Sequence, residues 1–568
     1  MKQETRDCQN CKQPFVIEAE DFSFYEKMTV PAPTWCPKCR LQRRLAFFNL
    51  FNLWKRKCDL CGNEMIAMYP PEASYKVYCP HCWWGDGWDP YNYGREYDFS
   101  RPFFAQFSEL WHEVPLLGLS LSLNSIDTSP YNNHAGGLKN CYLLFHADFC
   151  EDSAYGAYLN RCKSVFDSSL TISSEHCYDM LHSYRNNRCV GGRSQVTESI
   201  DCAFLKDSMN CQHCFASANM RNKKYYIFNQ PYSKEGYEEE MKKWDLGSYR
   251  TYQEAKRRAE EHLVTLPPKP TMDEFTTNCT GSHVFQAKNC KDCFEVVGAE
   301  DCRYVHMVQD PPVKDCYDVT SWGNNTQRCY EGCVVGEFVS DLKFCQESGI
   351  NLYFAEYCKL STGGSRHFGC VSVKKGEYAI LNKHYSKEEY RALTEKIRKH
   401  MDEMPYVDKR GGVYKYGEFF PVELSPFAYN KTIADIFFPL SKREAEERGY
   451  VYMEPEVRTY TVTKQAKNLP DHIKDAPNDI VKETIACEKC GKGYKVTEME
   501  LAFLRNMNLP LPRRCPFCRI QEKFAQWVKN LRVIDRTCGK CGVTFQTNYP
   551  KEEAPHILCK RCYLKEIV

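Results

Sequence analysis

Between residues 141 and 370 apolar and polar positions alternate in short groups. The stretch from Cys141 to Ser169, CYLLFHADFCEDSAYGAYLNRCKSVFDSS, shows the habit: strand-sized runs of aromatic, aliphatic and small residues cut by Asn, Asp, Ser and Gly. Runs that short, with turn-forming residues between them, predict strands rather than amphipathic helices. Cysteine marks the rhythm. Cys141, Cys150, Cys162, Cys177, Cys189, Cys202 and Cys214 in one half, and Cys293, Cys302, Cys316, Cys329, Cys345, Cys358 and Cys370 in the other, advance by 12 to 13 residues on average. Each half closes on a matching tail, YIFNQPYSKEGY (Tyr226 to Tyr237) and AILNKHYSKEEY (Ala379 to Tyr390), offset by 153 residues. Such a period implies stacked units that cannot bury their apolar faces alone. The pattern predicts two Cys-rich parallel β-solenoid-like repeat domains, with two steps, about 25 residues, to a coil. Ser233 and Ser386 stand where helix N-caps belong, and Ser386 with Glu389 spells a capping box, so a capping helix should end each half and cover its open edge.

The two ends carry a different cysteine pattern. Cys8/Cys11, Cys36/Cys39, Cys58/Cys61 and Cys79/Cys82 are four Cys-x2-Cys pairs with gaps of 24, 18 and 17 residues. Cys487/Cys490, Cys515/Cys518, Cys538/Cys541 and Cys559/Cys562 repeat them with gaps of 24, 19 and 17. Between the pairs Phe24 corresponds to Phe503, Met28 to Met507, Pro31 to Pro510 and Ala46 to Ala525 at one offset of 479, so one module of about 80 residues is written twice. Two cysteines two residues apart can grip one ion from a tight turn, and four thiolates complete the tetrahedron that Zn2+ prefers. Four zinc ions are therefore expected on these sixteen cysteines. Sequential pairing is the simplest arrangement, and interleaved, cross-braced pairing fits the same spacings. A redox dithiol normally stands alone at a helix start, which this array does not. The other eighteen of the 34 cysteines lie between Cys141 and Cys370. Small and apolar, they suit a narrow interior as inert thiols; a metal-thiolate ladder or redox store is the alternative.

The segment CEKCGKGYKVTEMELAFLRNMNLPLPRRCPFCRIQEK, and its N-terminal counterpart from Cys8 to Cys39, resembles the family named the probable zinc-ribbon domain; the N-terminal copy departs from it at TVPAPTW. The resemblance implies a metal and a fold for these ribbons, not a partner. With stretches such as YCPHCWWGDGWDPYNYGREYDFSRPFF and SPFAYNKTIADIFFPLSKREA, the whole chain resembles large proteins of candidate-phyla bacteria that combine zinc ribbons with Cys-rich repeats. That likeness carries no activity with it.

Charge adds a candidate partner. The overall +2 conceals +4 over residues 1–61, +8 over 482–568 and −10 over the remainder. Basic ends suggest a polyanion held by Arg40, Arg43, Arg44, Lys55, Arg56 and Lys57 at one end and by Arg513, Arg514, Arg519, Lys523, Lys529, Arg532 and Arg536 at the other. Trp35, Phe47, Phe48, Phe51, Trp54 and Trp527 lie among them and could stack on bases, or could instead fill the small ribbon cores. The Cys82 to Phe104 stretch is expected to seal the ribbon module against the first solenoid through its aromatic rings.

No P-loop, G-x-G-x-x-G before a helix, H-E-x-x-H or G-x-S-x-G occurs. Four closed all-cysteine sites would also leave zinc no open position for chemistry, so no enzyme is expected. No apolar run reaches membrane-spanning length and no signal peptide opens the chain, which argues for a cytoplasmic protein without membrane contact. The reading is mainly β: a tandem zinc-ribbon module with an aromatic linker at 1–104, a first solenoid-like domain at 105–266, a Pro-containing linker at 267–288, a second solenoid-like domain at 289–404, a connecting segment at 405–481 and a second ribbon module at 482–568. The expected role is non-enzymatic binding of RNA, DNA or a ribonucleoprotein. A protein-interaction scaffold, or a metal-handling or redox role for the inner cysteines, are the alternatives.

Overall fold

The computed structural model describes residues 2–454 and 461–567; residues 455–460 of the connecting segment, with Met1 and Val568, lie outside them. The chain forms two compact units, each built from two separate stretches: Met1–Leu119 with Asp273–Glu454, and Ser120–Met272 with Pro455–Val568. Each unit thus joins one terminal cysteine module to the repeat half farther from it in sequence.

In both units the repeat half is a large parallel sheet, and the protein is mainly β. In the first unit Gly281 pairs with Cys293, Phe294 with His306, Ser321 with Val334 and Ser348 with Ser361. In the second, Tyr142 pairs with Ala154, Ser169 with Leu181 and Gln212 with Lys224. Neighbouring strands are therefore 12 or 13 residues apart at these points, one cysteine step rather than the expected two. The tighter return has a local cause. From His134 to Gly191 every third residue has positive φ without a break, including Asn140, Tyr155, Asp167 and His182. A left-handed residue costs about 1–2 kcal/mol in most side chains and more where the side chain is β-branched. No Val, Ile or Thr stands at any of these corners, although Val165, Thr171, Ile172 and Val190 lie between them.

The inner cysteines follow from the same geometry. All except Cys345 come directly after a residue of positive φ. Their side chains point into an interior of cysteine and valine, which in the first unit includes Cys293, Cys302, Cys316 and Cys329 with Val296, Val305 and Val319. Many of these thiols lie against backbone carbonyls two residues back and one strand on. Cys141 Sγ is 3.4 Å from Lys139 O and 3.3 Å from Cys150 O, and Cys358 Sγ is 3.5 Å from Glu356 O and 3.7 Å from His367 O. A weak donor in a core where every carbonyl needs a partner is suited to such contacts.

Each half ends in the capped helix that its tail predicts, with a hairpin before it. An antiparallel hairpin (Glu377–Ile380 with Lys383–His384, and Lys224–Ile227 with Gln230–Pro231) leads into a helix, Lys387–Glu403 or Lys234–Met241. Tyr378 meets Tyr390 at 5.7 Å between ring centroids, and Tyr225 meets Tyr237 at 5.6 Å, the same pair in both copies. Ser386 caps its helix by accepting from Glu389 N–H, and the Glu389 carboxylate accepts from Ser386 N–H at 2.9 Å, closing the capping box. Ser386→Ala should lower the stability of that helix by about 1 kcal/mol, visible as faster hydrogen exchange in its first turn; exchange unchanged there would mean that packing alone holds it.

The aromatic stretch lies on the second repeat half, not the first. Tyr91 O–H donates to Lys375 O at 2.6 Å, Lys374 sits 4.8 Å over the Trp88 ring, and Phe103 packs on Phe368 at 5.4 Å. Gly94 makes the approach possible, because a Cβ there would collide with the Asn382 carbonyl. On the first half, Phe503 and Trp527 of the C-terminal module pack on Phe166 and Tyr158. No helix among the described residues is long and apolar enough to cross a membrane.

Candidate metal centres and the basic helices beside them

The first cysteine pair of each tetrad lies at a tight turn. Lys12, Gly62, Gly491 and Gly542 donate back to the carbonyls of Cys8, Cys58, Cys487 and Cys538 at 2.9, 2.9, 2.9 and 3.1 Å. All four adopt positive φ, which explains glycine at three of them; a Cβ at Gly62, Gly491 or Gly542 would meet nothing, so backbone conformation alone sets the choice. The second pair of each set lies at a helix start. Cys36, Cys79 and Cys515 are N-caps followed by proline at the first helical position, where a missing N–H costs nothing. That end of a helix also favours negative charge, as a thiolate carries.

The turns and helix starts bring the sulfurs together in four tetrads: Cys8, Cys11, Cys36 and Cys39; Cys58, Cys61, Cys79 and Cys82; Cys487, Cys490, Cys515 and Cys518; Cys538, Cys541, Cys559 and Cys562. Within each tetrad the Sγ atoms lie within 4.8 Å of one another, so the pairing is sequential and not cross-braced. Closer distances include 3.9 Å for Cys11 to Cys36 and for Cys487 to Cys518, and 3.7 Å for Cys490 to Cys515 and for Cys541 to Cys559. A tetrahedron with metal–sulfur bonds of about 2.3 Å has edges of about 3.8 Å. The tetrads could thus each hold one tetrahedrally bound ion.

The surroundings favour a thiolate at the first cysteine of each tetrad. Cys36, Cys79, Cys515 and Cys559 each donate a backbone N–H to the first sulfur of their tetrad, at 3.2 to 3.3 Å. Burial pushes the Cys487 and Cys538 thiols up, but backbone N–H groups outweigh it and bring them down to about 7 and about 6. All the described cysteines are free of disulfides.

The basic residues beside the tetrads require a correction. Arg40, Arg43 and Arg44 project from the helix Pro37–Leu45 and are at most 1% exposed. Arg40 Nε donates to Asp318 at 2.5 Å, and Arg44 lies 3.5 Å from the same carboxylate. Arg43 reaches Glu331 at 2.6 Å and Glu418 at 3.2 Å and covers the Trp35 ring at 4.2 Å. Burial pushes the Glu331 carboxyl up to about 7 despite its guanidinium neighbours, a measure of how dry the cluster is.

The C-terminal module repeats the arrangement at the duplication offset. Arg519, the counterpart of Arg40, pairs with Asp167 and, at 2.9 Å, with Glu500. Lys523, the counterpart of Arg44, pairs with Asp179. Phe24 stacks on Tyr317 at 3.8 Å, and its counterpart Phe503 on Phe166 at 4.2 Å. These five cations are held by the protein's own carboxylates and are not presented to an outside polyanion. The rings Trp35, Phe47, Phe48, Phe51, Trp54 and Trp527 are all buried, which removes them as stacking platforms.

The other basic residues divide. Arg56 and Arg536 hold backbone carbonyls of their own modules, at Pro70 and at Tyr549 and Ala554. Arg513 donates to Ala466 O and Leu469 O and lies 4.2 Å over the Tyr249 ring. Lys55, Lys57, Arg514, Lys529 and Arg532 are exposed.

No protein-family model and no curated protein matches the chain. Among solved structures, a "putative acetyltransferase" from Desulfovibrio desulfuricans G20 aligns over 49% of this chain and 74% of its own, with 9% identity and a TM-score of 0.10. A likeness that slight carries no argument. Sequence reasoning missed Asp167, Asp179, Asp318, Glu331 and Glu418, the carboxylates that receive the basic helices. The signal for them was the acidic middle of the chain, opposite in sign to its ends.

Proposed function

We propose that the protein is a non-enzymatic scaffold whose four cysteine tetrads bind zinc and fix two ribbon modules onto two short-coiled parallel β-solenoids. One observation carries this reading. The arginines, lysine and aromatic rings best suited to nucleic acid are consumed in docking each module onto its own unit, so the modules act first as clamps. Zinc is the ion that suits four thiolates at tetrahedral spacing, and a four-cysteine shell leaves it no site for substrate. A rigid body built this way offers a fixed surface to a protein partner.

A second reading retains nucleic acid on the residues that stay outside: Lys55 and Lys57 on one module, and Arg514, Lys529 and Arg532 on the other. Native mass spectrometry of the full chain, with and without nuclease, separates the two. Four zinc ions and no nuclease-sensitive mass are expected. A bound polymer removed by nuclease, and lost again when Lys529 and Arg532 are neutralised, would replace the scaffold reading with the second one. Fewer than four zinc ions would remove the clamp model.

A further inference from the structure

Among the described residues, seventeen of the eighteen inner cysteines are buried, and Cys279 is the exception. It stands on the end coil of the first unit's repeat half. The first strand of that coil, Asp273–Glu274, pairs only with Gly281–Phe285 among the described residues.

Access meets adjacency at this position. Thr277 bridges Lys288 in parallel register, and Thr280 N–H donates to Cys290 O at 2.8 Å, so Cys279 lies across from Cys290. Both side chains turn inward: Cys290 belongs to the cysteine and valine core, and Cys279 packs on its edge. The Cys279 sulfur meets both the backbone and the thiol of Cys290. Parallel strands run about 4.8 Å apart, and a disulfide needs Cα atoms about 4.4–6.8 Å apart, so the pair can close without moving a strand. Adjacency alone is not distinctive. Cys150 and Cys162 stack in the same way, beside the bridge of Glu151 to Lys163, but both are buried.

We propose that Cys279 and Cys290 are a modification site for hydrogen peroxide, which joins them in a disulfide and so fastens the end coil to the next. The Cys279 thiolate attacks one peroxide oxygen, the O–O bond breaks, and the departing oxygen takes up a proton and leaves as water; the product is a sulfenic acid. The Cys290 thiolate then attacks that sulfur and expels its hydroxyl as a second water. Two thiols thus give up two electrons and two protons, one peroxide becomes two waters, and one S–S bond forms. Cys290 is suited to the second step, because the Cys293 and Cys302 thiols beside it hold its own below the usual range. Burial pushes the Cys279 thiol up, so the first step is slow and the pair answers sustained oxidant rather than consuming it by turnover. This site goes beyond the scaffold role and is independent of it.

Peptide mapping of the zinc-loaded full chain, with and without hydrogen peroxide, tests it. Trypsin cuts after Lys288 and Lys291, so Cys290 and Cys293 fall in separate peptides and the partner of Cys279 is read directly. A Cys279–Cys290 crosslink is expected after peroxide, with Cys150 and Cys162 still free to alkylate. Cys279→Ser, at a partly exposed position and so compatible with folding, should abolish the crosslink. Cys290→Ser should instead leave a sulfenic acid on Cys279 that dimedone traps. In the oxidised chain the amides of Thr277 and Thr280, which donate to Ala287 O and Cys290 O, should exchange about tenfold more slowly. Cys279 still free to alkylate after peroxide, a crosslink to Cys293 in its place, equal crosslinking of Cys150 to Cys162, or exchange unchanged at Thr277 and Thr280 would overturn the proposal.

Discussion

Exchanging Cys515 for serine should release the helix Pro516–Lys529 from the sheet face it covers. Cys515 is both a member of its tetrad and the N-cap from which the helix starts, and its N–H also supports Cys487 Sγ. Structural zinc contributes on the order of 10–16 kcal/mol of apparent binding free energy in small modules, where it is inseparable from folding. Within the C-terminal module, Glu488 N–H donating to Arg513 O and the Arg519–Glu500 pair also tie the turns to the helix. The helix in turn carries Arg519, Lys523, Phe524 and Trp527 into unit two. Loss of one zinc ion in four by native mass spectrometry, together with loss of hydrogen-exchange protection across Pro516–Lys529, is the expected result. Protection that persists with three zinc ions bound would show that the ion pairs and rings hold the module without metal. Cys316→Ser, in the interior of the first unit, should leave all four zinc ions in place.

Asp318→Ala should be the most damaging single change outside the tetrads. Asp318 is fully buried and receives both Arg40 and Arg44, neither of which has access to water. Removing one partner of a buried pair leaves an uncompensated charge and typically costs about 3–5 kcal/mol, mostly as desolvation that nothing repays. The loss should appear as exposure of the helix Pro37–Leu45 in hydrogen exchange. Salt should not change it, because ions do not screen a pair this far from solvent. A loss that varies strongly with ionic strength would mean that the cluster is wet. Lys55→Ala, on an exposed residue of the same module, should leave that helix undisturbed. The contrast separates basic residues that dock the module from those that only face solvent.

Much of this architecture was legible in the residue pattern. The cysteine gaps showed two copies of one module but left sequential and cross-braced pairing open; the structure decides for sequential tetrads, with each second pair at a helix start close to the first. The tails from Tyr226 and Ala379 foretold cap and helix, down to the reciprocal bonds of Ser386 and Glu389, but not the hairpin before them. The basic helices misled for a physical reason. Charge is visible in a sequence, but its counter-charge is not: Asp318 lies 278 residues beyond Arg40. Phe24 and Phe503 appeared as markers of duplication, whereas their rings are docking contacts. Over residues 134–191 the tight strand return was also written in the chain, as a three-residue period of corners from which β-branched side chains are absent. A search for alternation with period two passes over it, because a left-handed residue at every third position resets the alternation each time.

The interleaving of the two units has a consequence for synthesis. As the ribosome delivers the chain from its N-terminus, the first cysteine module emerges long before the carboxylates that will receive it. Arg43 must await Glu331 and Glu418, 288 and 375 residues downstream. At translation rates of roughly 5–20 residues per second, that interval is of the order of 15–75 s. Throughout it the nascent module has thiolates competent to take metal and a basic, partly apolar helix with no surface to cover. Residues 120–272 emerge in the meantime, and they too lack their partner until the last residues leave the tunnel. Neither unit can be completed in the order in which it is made. Early metal capture would hold each module in a closed form while it waits, and translation in zinc-poor medium should therefore raise the fraction of chains that aggregate or bind chaperones before release.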